Sequence, residues 1–304
     1  MNELNKIIKH ASITDLLSSE FMARLDSLDI ASKRILRGTL RGERRSKRRG
    51  HSVEFADHRP YVAGDDLRFI DWNIYGRLNQ LFLKLFLEEQ DLTVHIAVDV
   101  SASQTFGDPP KDMYTKKLAA ALGYISMVSN NRVTISAFSD GIIGEIKGMR
   151  GRGYLRQMAE FLVNTPAEGV SDFDQSCKQL AAGRIGSGIV IVLSDFFFKE
   201  GFESGLKRLV NKNYDLYAMQ VLSPQEIEPD ISGDLKLVDI EDEDAAEITV
   251  SGALMKFYKK NLTAYCNDIK SFCTRRGATY VLANTSTSFE KLVLNYMRRI
   301  RLLR

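Results

Sequence analysis

Residues 92–103 read Leu-Thr-Val-His-Ile-Ala-Val-Asp-Val-Ser-Ala-Ser, and the fold is read outward from them. Val94 to Val98 is a short, almost continuous apolar run, as expected of a strand buried on both faces. Asp99 closes the run, and hydroxyls follow at every second position, Ser101 and Ser103. Alternate residues of an extended segment point the same way, so one carboxylate and two hydroxyls can converge on a point. In open α/β sheets, ligands bind at the carboxyl ends of strands, where this set falls. Such an all-oxygen set suits a hard cation, Mg²⁺ or Mn²⁺, and suits zinc poorly.

Similar apolar runs recur at Val133 to Phe138, Gly188 to Leu193, Leu216 to Val221 and Thr279 to Ala283. Helix-length segments at 112–129, 152–163, 173–182, 201–212, 253–275 and 287–303 separate or follow them. This alternation predicts an α/β fold, a doubly wound and mostly parallel sheet with helices on both faces. One excursion interrupts it: Leu235 to Ile240 and Ile248 to Val250 read as a strand pair around the acidic run 241–244. Upstream, 4–28 has the spacing of an amphipathic helix, and Leu81 to Leu87 reads as a strand. The expected organisation is an N-terminal helix over 1–31 and a basic, β-rich subdomain over 32–90, joined by the 233–251 excursion. The α/β domain would take 91–304.

Composition narrows the class. The 304 residues are 44% hydrophobic and 27% charged, an ordinary globular balance. The longest apolar runs are strand-length, far short of the roughly 20 residues a membrane-spanning helix needs. The start, MNELNKIIKHASITDLL, has no secretory apolar core. Cys177, Cys266 and Cys273 form neither a disulfide framework nor a zinc pattern. A reduced, cytoplasmic protein is expected. The net charge of +3 is unevenly spread: nine Lys and Arg crowd positions 33–49 against Glu43 alone, and the rest of the chain is mildly acidic. That segment contains no aromatic residue, so a solvated face or a dock for an acidic protein suits it better than nucleic-acid reading.

Two other segments complete the pattern. Asp195 follows the run ending at Leu193, and Ser171 precedes the helix expected at 173–182. Asp99 and Asp195 together would neutralise a divalent ion. The hydroxyls add no charge, so the ion stays electrophilic enough to take an acidic group from outside, which suits docking better than hydrolysis. For the same residues the plainer reading is capping, with Ser171 or Asp172 opening the 173–182 helix. Asp65, Asp66 and Asp71 beside Arg59 and Arg68 read as a charge-paired turn, with Trp72 as its packing anchor. His95, inside a strand, reads as a satisfied core residue.

Asp-x-Ser-x-Ser after the first core strand, a hydroxyl before a middle helix and an aspartate after the next strand resemble the metal-ion-dependent adhesion site of von Willebrand factor A domains. On that resemblance Asp99, Ser101 and Ser103 match the first motif, Ser171 the usual threonine and Asp195 the final aspartate. The family usually has glycine next; Phe196 stands there instead. A second resemblance is sharper. Glu54-Phe55, Arg59, Tyr61, Gly64-Asp65-Asp66, Arg68, Ile70-Asp71-Trp72 and Lys84 are similar to the stretch that introduces the von Willebrand factor A-like domain in the bacterial domain of unknown function 58 family. It extends over roughly residues 50 to 300. It implies partnership with a MoxR-type AAA+ ATPase, in maturation or remodelling of other proteins, and a non-enzymatic role. Two alternatives use the same residues: a metal-dependent phosphoesterase or nuclease, and a nucleic-acid-binding module built on the 33–49 segment.

Overall fold

A computed structural model describes residues 12–30, 54–87, 92–183, 188–210, 214–241, 244–300 and 302–303. The basic run at 33–49 and the first part of the expected 4–28 helix lie outside them. From Ser12 onward that helix is in two pieces, a 3-10 turn Ile13–Asp15 and helix α1, Ser19–Leu25. The reason is local: Ser18 has extended backbone and its Oγ accepts the Phe21 N–H at 3.2 Å, which starts a new helix there.

Contacts divide the described residues into two units, 54–87 and the remainder. In the smaller unit β1 (Glu54–Pro60) pairs antiparallel with β2 (Phe82–Leu87), and helix α2 (Trp72–Leu78) lies between them in sequence.

The larger unit is built on a six-stranded sheet of β3 (Thr93–Asp99), β4 (Arg132–Phe138), β5 (Ile142–Met149), β6 (Gly188–Ser194), β7 (Tyr214–Leu222) and β10 (Thr279–Asn284). Its order is β10-β7-β6-β3-β4-β5, parallel throughout except for β5 at one edge. The five parallel strands fall where the apolar runs predicted them. Strand β5 was not expected: Gly144, Gly148 and an alternation of half-buried and exposed residues give it the half-wet character of an edge strand.

Period-two alternation sends side chains into two separate cores. Val94, Ile96 and Val98 of β3 and Ile189, Ile191 and Leu193 of β6 face α1, α3 (Lys111–Val128) and α4 (Leu155–Asn164). Ala97, Val190 and Val192 face α5 (Phe173–Ala182), α6 (Glu203–Val210) and α7 (Gly252–Arg275). Each fully buried aliphatic side chain contributes about 1.5–3 kcal/mol, so the two central strands, β3 and β6, contribute most to the core. The basic C-terminal segment belongs to the first core, with Val293, Met297 and Leu302 buried.

Strands β8 (Gly233–Val238) and β9 (Ala245–Val250) form a two-stranded antiparallel sheet of their own. They group with the larger unit. The parallel connections bring the ends of β3, β6 and β7 to one edge.

Candidate metal-ion site

Asp99 ends β3 fully buried, and hydroxyls serve it from two strands. Its Oδ1 accepts the Ser101 N–H at 3.0 Å and the Ser101 hydroxyl at 2.7 Å; its Oδ2 accepts the Ser194 hydroxyl at 2.6 Å. Ser101 and Ser103 oxygens lie 3.0 Å apart. Because Ser101 gives its proton to Asp99, Ser103 is the donor between the two, and both oxygens keep acceptor lone pairs. Neither is spent on capping the 3-10 turn Ala102–Thr105: Ser101 precedes that turn without making a side-chain cap bond.

The loop carrying Ser171 is laced to this one. The Ala102 N–H donates to Gly169 O at 2.9 Å, and the Glu168 N–H to Val100 O at 2.8 Å. Asp172, whose Oδ1 accepts the Gln175 N–H at 2.8 Å, caps α5. Ser171 is thereby released from the capping role, and its Oγ is shut off from solvent with no hydrogen-bond partner. A buried polar atom left so costs about 1–3 kcal/mol, and at a strand-end site the natural remedy is a ligand.

Asp195 completes the set from the end of β6. Its charge raises the Asp99 pKa together with burial, the larger cause, to about 7. The two carboxylates therefore feel one another. Asp195 Oδ1 accepts the Phe197 N–H at 3.0 Å, while Oδ2 accepts Gln104 Nε2 at 3.1 Å and Lys111 Nζ at 2.6 Å. The structure thus brings the five residues singled out in the sequence to one edge.

The profile of the family described as "Protein of unknown function DUF58" matches residues 57–268. The chain belongs to that family. Uncharacterized proteins of Mycobacterium tuberculosis (Rv1480) and Mycobacterium bovis (Mb1516) are 25% identical over 261 residues, covering 84% of this chain and 82% of theirs. Among solved structures, the conserved hypothetical protein BatB from Bacteroides thetaiotaomicron is similar at 14% identity and a TM-score of 0.42, over 69% of this chain and 98% of that one. An aerotolerance-related membrane protein from Bacteroides fragilis is similar at 15% and 0.43, over 68% and 99%. The SpRpn10 VWA domain is similar at 12% and 0.40, over 67% and 94%. The architecture of this DUF58 member is the doubly wound, mostly parallel α/β sheet expected from its alternation of strands and helices.

Sequence reasoning did not reach the residues that surround the site in the DUF58 chain. Lys111, the first residue of α3, is fully buried, and its ammonium bridges Asp195 and Glu226 at 2.6 and 2.5 Å. Burial pulls its pKa down, but the Asp195 and Glu226 charges outweigh that and the net shift is upward. Glu226 is held in turn by the Ser223 N–H and hydroxyl in a capping box. That Ser-x-x-Glu spacing was a readable signal; nothing distinguished Lys111 from a solvated lysine at a helix start. Glu241, in the acidic run between β8 and β9, accepts the Ser171 N–H at 3.2 Å.

Phe196, where the resembled pattern has glycine, takes φ +60°, in the left-handed region that favours glycine. It is fully buried against Phe173 and Phe198, and the Tyr265 hydroxyl donates to its carbonyl. The left-handed turn at Phe196 is held by aromatic packing at a strain of about 1 kcal/mol.

The donors fit a hard divalent ion. Asp195 and Glu226 against Lys111 leave one negative charge, Asp99 adds a second once it is ionised, and Ser103 and Ser171 offer neutral oxygens. Among the described residues no three His, Cys, Asp or Glu side chains gather as a metal-holding group, so an ion here would rest on hydroxyls as much as on carboxylates. Asp195, already bonded to Lys111 and Gln104, would stand behind the ion more readily than Asp99.

The acids of the smaller unit are a different case. Arg59 grips Asp65 with two bonds of 2.7 and 2.8 Å, Arg68 pairs with Asp66, and His58 Nε2 lies 2.9 Å from Asp71. This is the charge-paired turn expected. Trp72 is not its packing anchor: the indole is 63% exposed and touches Tyr75 edge-on, while Asp71 caps α2 through the Asn73 and Ile74 N–H groups.

Proposed function

We propose that this DUF58 chain is a non-enzymatic, metal-dependent protein-interaction module. Mg²⁺ or Mn²⁺ would be held by Asp99, Ser101, Ser103 and Ser171, with Asp195 behind, and the bound ion would supply an electrophilic point for an acidic group of a partner. The observation that carries this reading is the buried, unpartnered Ser171 Oγ on a loop tied to the Asp99–Ser101–Ser103 network. The rest of the chain's chemistry points the same way. The Ser101 and Ser103 hydroxyls are bonded to a carboxylate and to each other, and among the described residues no histidine bonds them as a base; His95 bonds Ser136 instead. Lys111 takes up part of the acid charge that hydrolysis by two metals would need. The partner class is a MoxR-type AAA+ ATPase or the client such an ATPase remodels, as the family resemblance implies.

The test is a calorimetric titration of wild type and Asp99→Ala with Mg²⁺ and Mn²⁺, followed by capture of a purified MoxR-type ATPase with and without chelator. Saturable binding and chelator-sensitive capture in wild type alone are expected. Capture equal in both proteins, whatever the metal, would sink the mechanism.

A further inference from the structure

The six-stranded sheet ends in two unlike edges. On one side β5 carries Glu145, Lys147 and two glycines, and its ladder with β4 slips register twice. Charges and bulges of this kind keep a strand edge from recruiting another strand. On the other side β10 reads Thr-Tyr-Val-Leu-Ala-Asn, without charge, proline or glycine, and pairs with β7 along its whole length without a slip. Among the described residues no strand pairs with its outer edge. That edge presents an uninterrupted row of backbone donors and acceptors, with none of the guards that β5 has.

A cavity of about 360 Å³ lies beside it. Tyr280 and Leu282, the side chains that alternation sends from β10 to the α7 face, line it together with Leu262 and Cys266 of α7 and Tyr296 of the C-terminal segment. Leu282 and Tyr296 are exposed there. Among the described residues Lys270 of α7 is the one charged group in the lining; it is exposed and joins no ion pair. A strand laid on the β10 edge would turn every second side chain to the α7 face, where the cavity opens. A second copy of this chain, paired edge to edge, would bring another uncharged strand and another Lys270, and would leave the cation unmatched.

We propose that β10 is a docking edge for an extended, acidic segment of a partner protein. The segment adds to the sheet as a further strand through main-chain hydrogen bonds, seats an aromatic or large aliphatic side chain in the cavity, and sets a carboxylate two positions away against Lys270. The surface is separate from the metal-ion site and needs no cation.

Fluorescence polarisation of the full chain with short labelled peptides tests it. The peptides alternate Val and Thr, with Phe, Leu or Ala at one central position and Asp or Asn two residues on. Phe and Leu peptides carrying Asp bind saturably, and Ala at the central position weakens them about thirtyfold, as for a side chain that anchors an interface. Lys270→Glu weakens the Asp peptides about fivefold, the scale of one exposed ion pair, and spares the Asn peptides. Leu282→Lys, a guard placed at an exposed position, abolishes binding. N-methylation of the peptide amides that face β10 does the same, while N-methylation of the alternate amides is tolerated. Chelator changes none of this, whereas it abolishes the metal-dependent capture expected above, so the two readings fail separately. No saturation by any peptide at millimolar concentration, or binding that tolerates both sets of N-methyl groups, overturns the docking edge. A wild-type chain that sediments as a dimer, with Leu282→Lys a monomer, overturns the partner segment in favour of a second copy.

Discussion

In the smaller unit, Asp65 and Asp66 each face an arginine, Arg59 and Arg68, and Asp71 faces the Lys84 ammonium and bonds the His58 ring. In the larger unit, Asp99 faces hydroxyls and the charge of Asp195, while Asp195 shares the buried Lys111 with Glu226. The pKa values part accordingly: Asp71 falls to about 2, chiefly through its His58 hydrogen bond, and Asp99 rises to about 7. A carboxylate with a matched cation fixes the chain. One served by neutral donors and a like charge is unfinished until a cation arrives.

The largest effect expected is at Lys111. Lys111→Met strands the buried Asp195 carboxylate and the part-buried Glu226, and breaking a buried pair this way costs about 3–5 kcal/mol. Urea unfolding followed by far-UV circular dichroism should show a much lower midpoint, partly recovered when Glu226→Gln is added. Arg59→Met, which breaks a pair open to water, should shift the midpoint far less. Equal shifts for the two would erase the contrast between the clusters.

Phe196 comes next. Phe196→Gly relieves the left-handed backbone, a gain of about 1 kcal/mol, but removes a buried aromatic whose loss costs about 3–5 kcal/mol. Packing wins, so a net destabilisation of roughly 2–4 kcal/mol is expected in the same unfolding measurement. A glycine variant as stable as wild type would mean that the aromatic cluster does not hold the Asp195 loop.

Acid should separate the two units. His95 is held down to about 4, first by burial and then by Lys147, against the opposing pull of Glu145. Its neutral form is the one the fold favours, so its contribution is full above the unfolded value near 6.5 and is lost as pH falls from there through 4. The loss is about 3 kcal/mol at most, and His95→Gln should flatten it. Asp71 has the depressed pKa of a paired acid, so its contribution persists above the unfolded value near 3.9 and disappears only as pH falls through about 2. Trp72, the sole tryptophan, reports the smaller unit by fluorescence, while circular dichroism is dominated by the larger. Coincident acid transitions in wild type and His95→Gln would refute the assignment.

The same distinction explains what was legible in the sequence. Five parallel strands were readable because full burial leaves unbroken apolar runs, whereas β5, half wet and carrying glycine, has no such signature. Asp99, Ser101, Ser103, Ser171 and Asp195 could be read because each sits beside a strand end or helix start, where local spacing places it. Lys111, Gln104, Ser194 and Glu226 act across chain separations of 84 residues or more in their bonds to Asp99, Asp195 or each other, and no local pattern encodes such partners. Trp72 misled for the converse reason: an aromatic in a charged turn suggests an anchor, but Asp71 had already fixed the helix start through backbone N–H groups.

The smallest effect is also the most discriminating, because the two clusters should answer the same substitution with opposite signs. Asp99→Asn removes a buried negative charge beside Asp195. Its amide oxygen can still accept from Ser101, and its amide nitrogen can donate to Ser194 Oγ, which has a lone pair to spare after accepting the Phe196 N–H. The metal-free protein should gain about 1 kcal/mol, the usual sign when a functional charge is deleted, while its thermal response to Mg²⁺ disappears. Asp71→Asn, by contrast, removes the charge that His58 and Lys84 face, and should lower the melting temperature with or without Mg²⁺. Paired melting curves with and without the ion decide the matter. If both variants lose stability alike, Asp99 is a structural acid, and the orphaned Ser171 hydroxyl must find its partner in water.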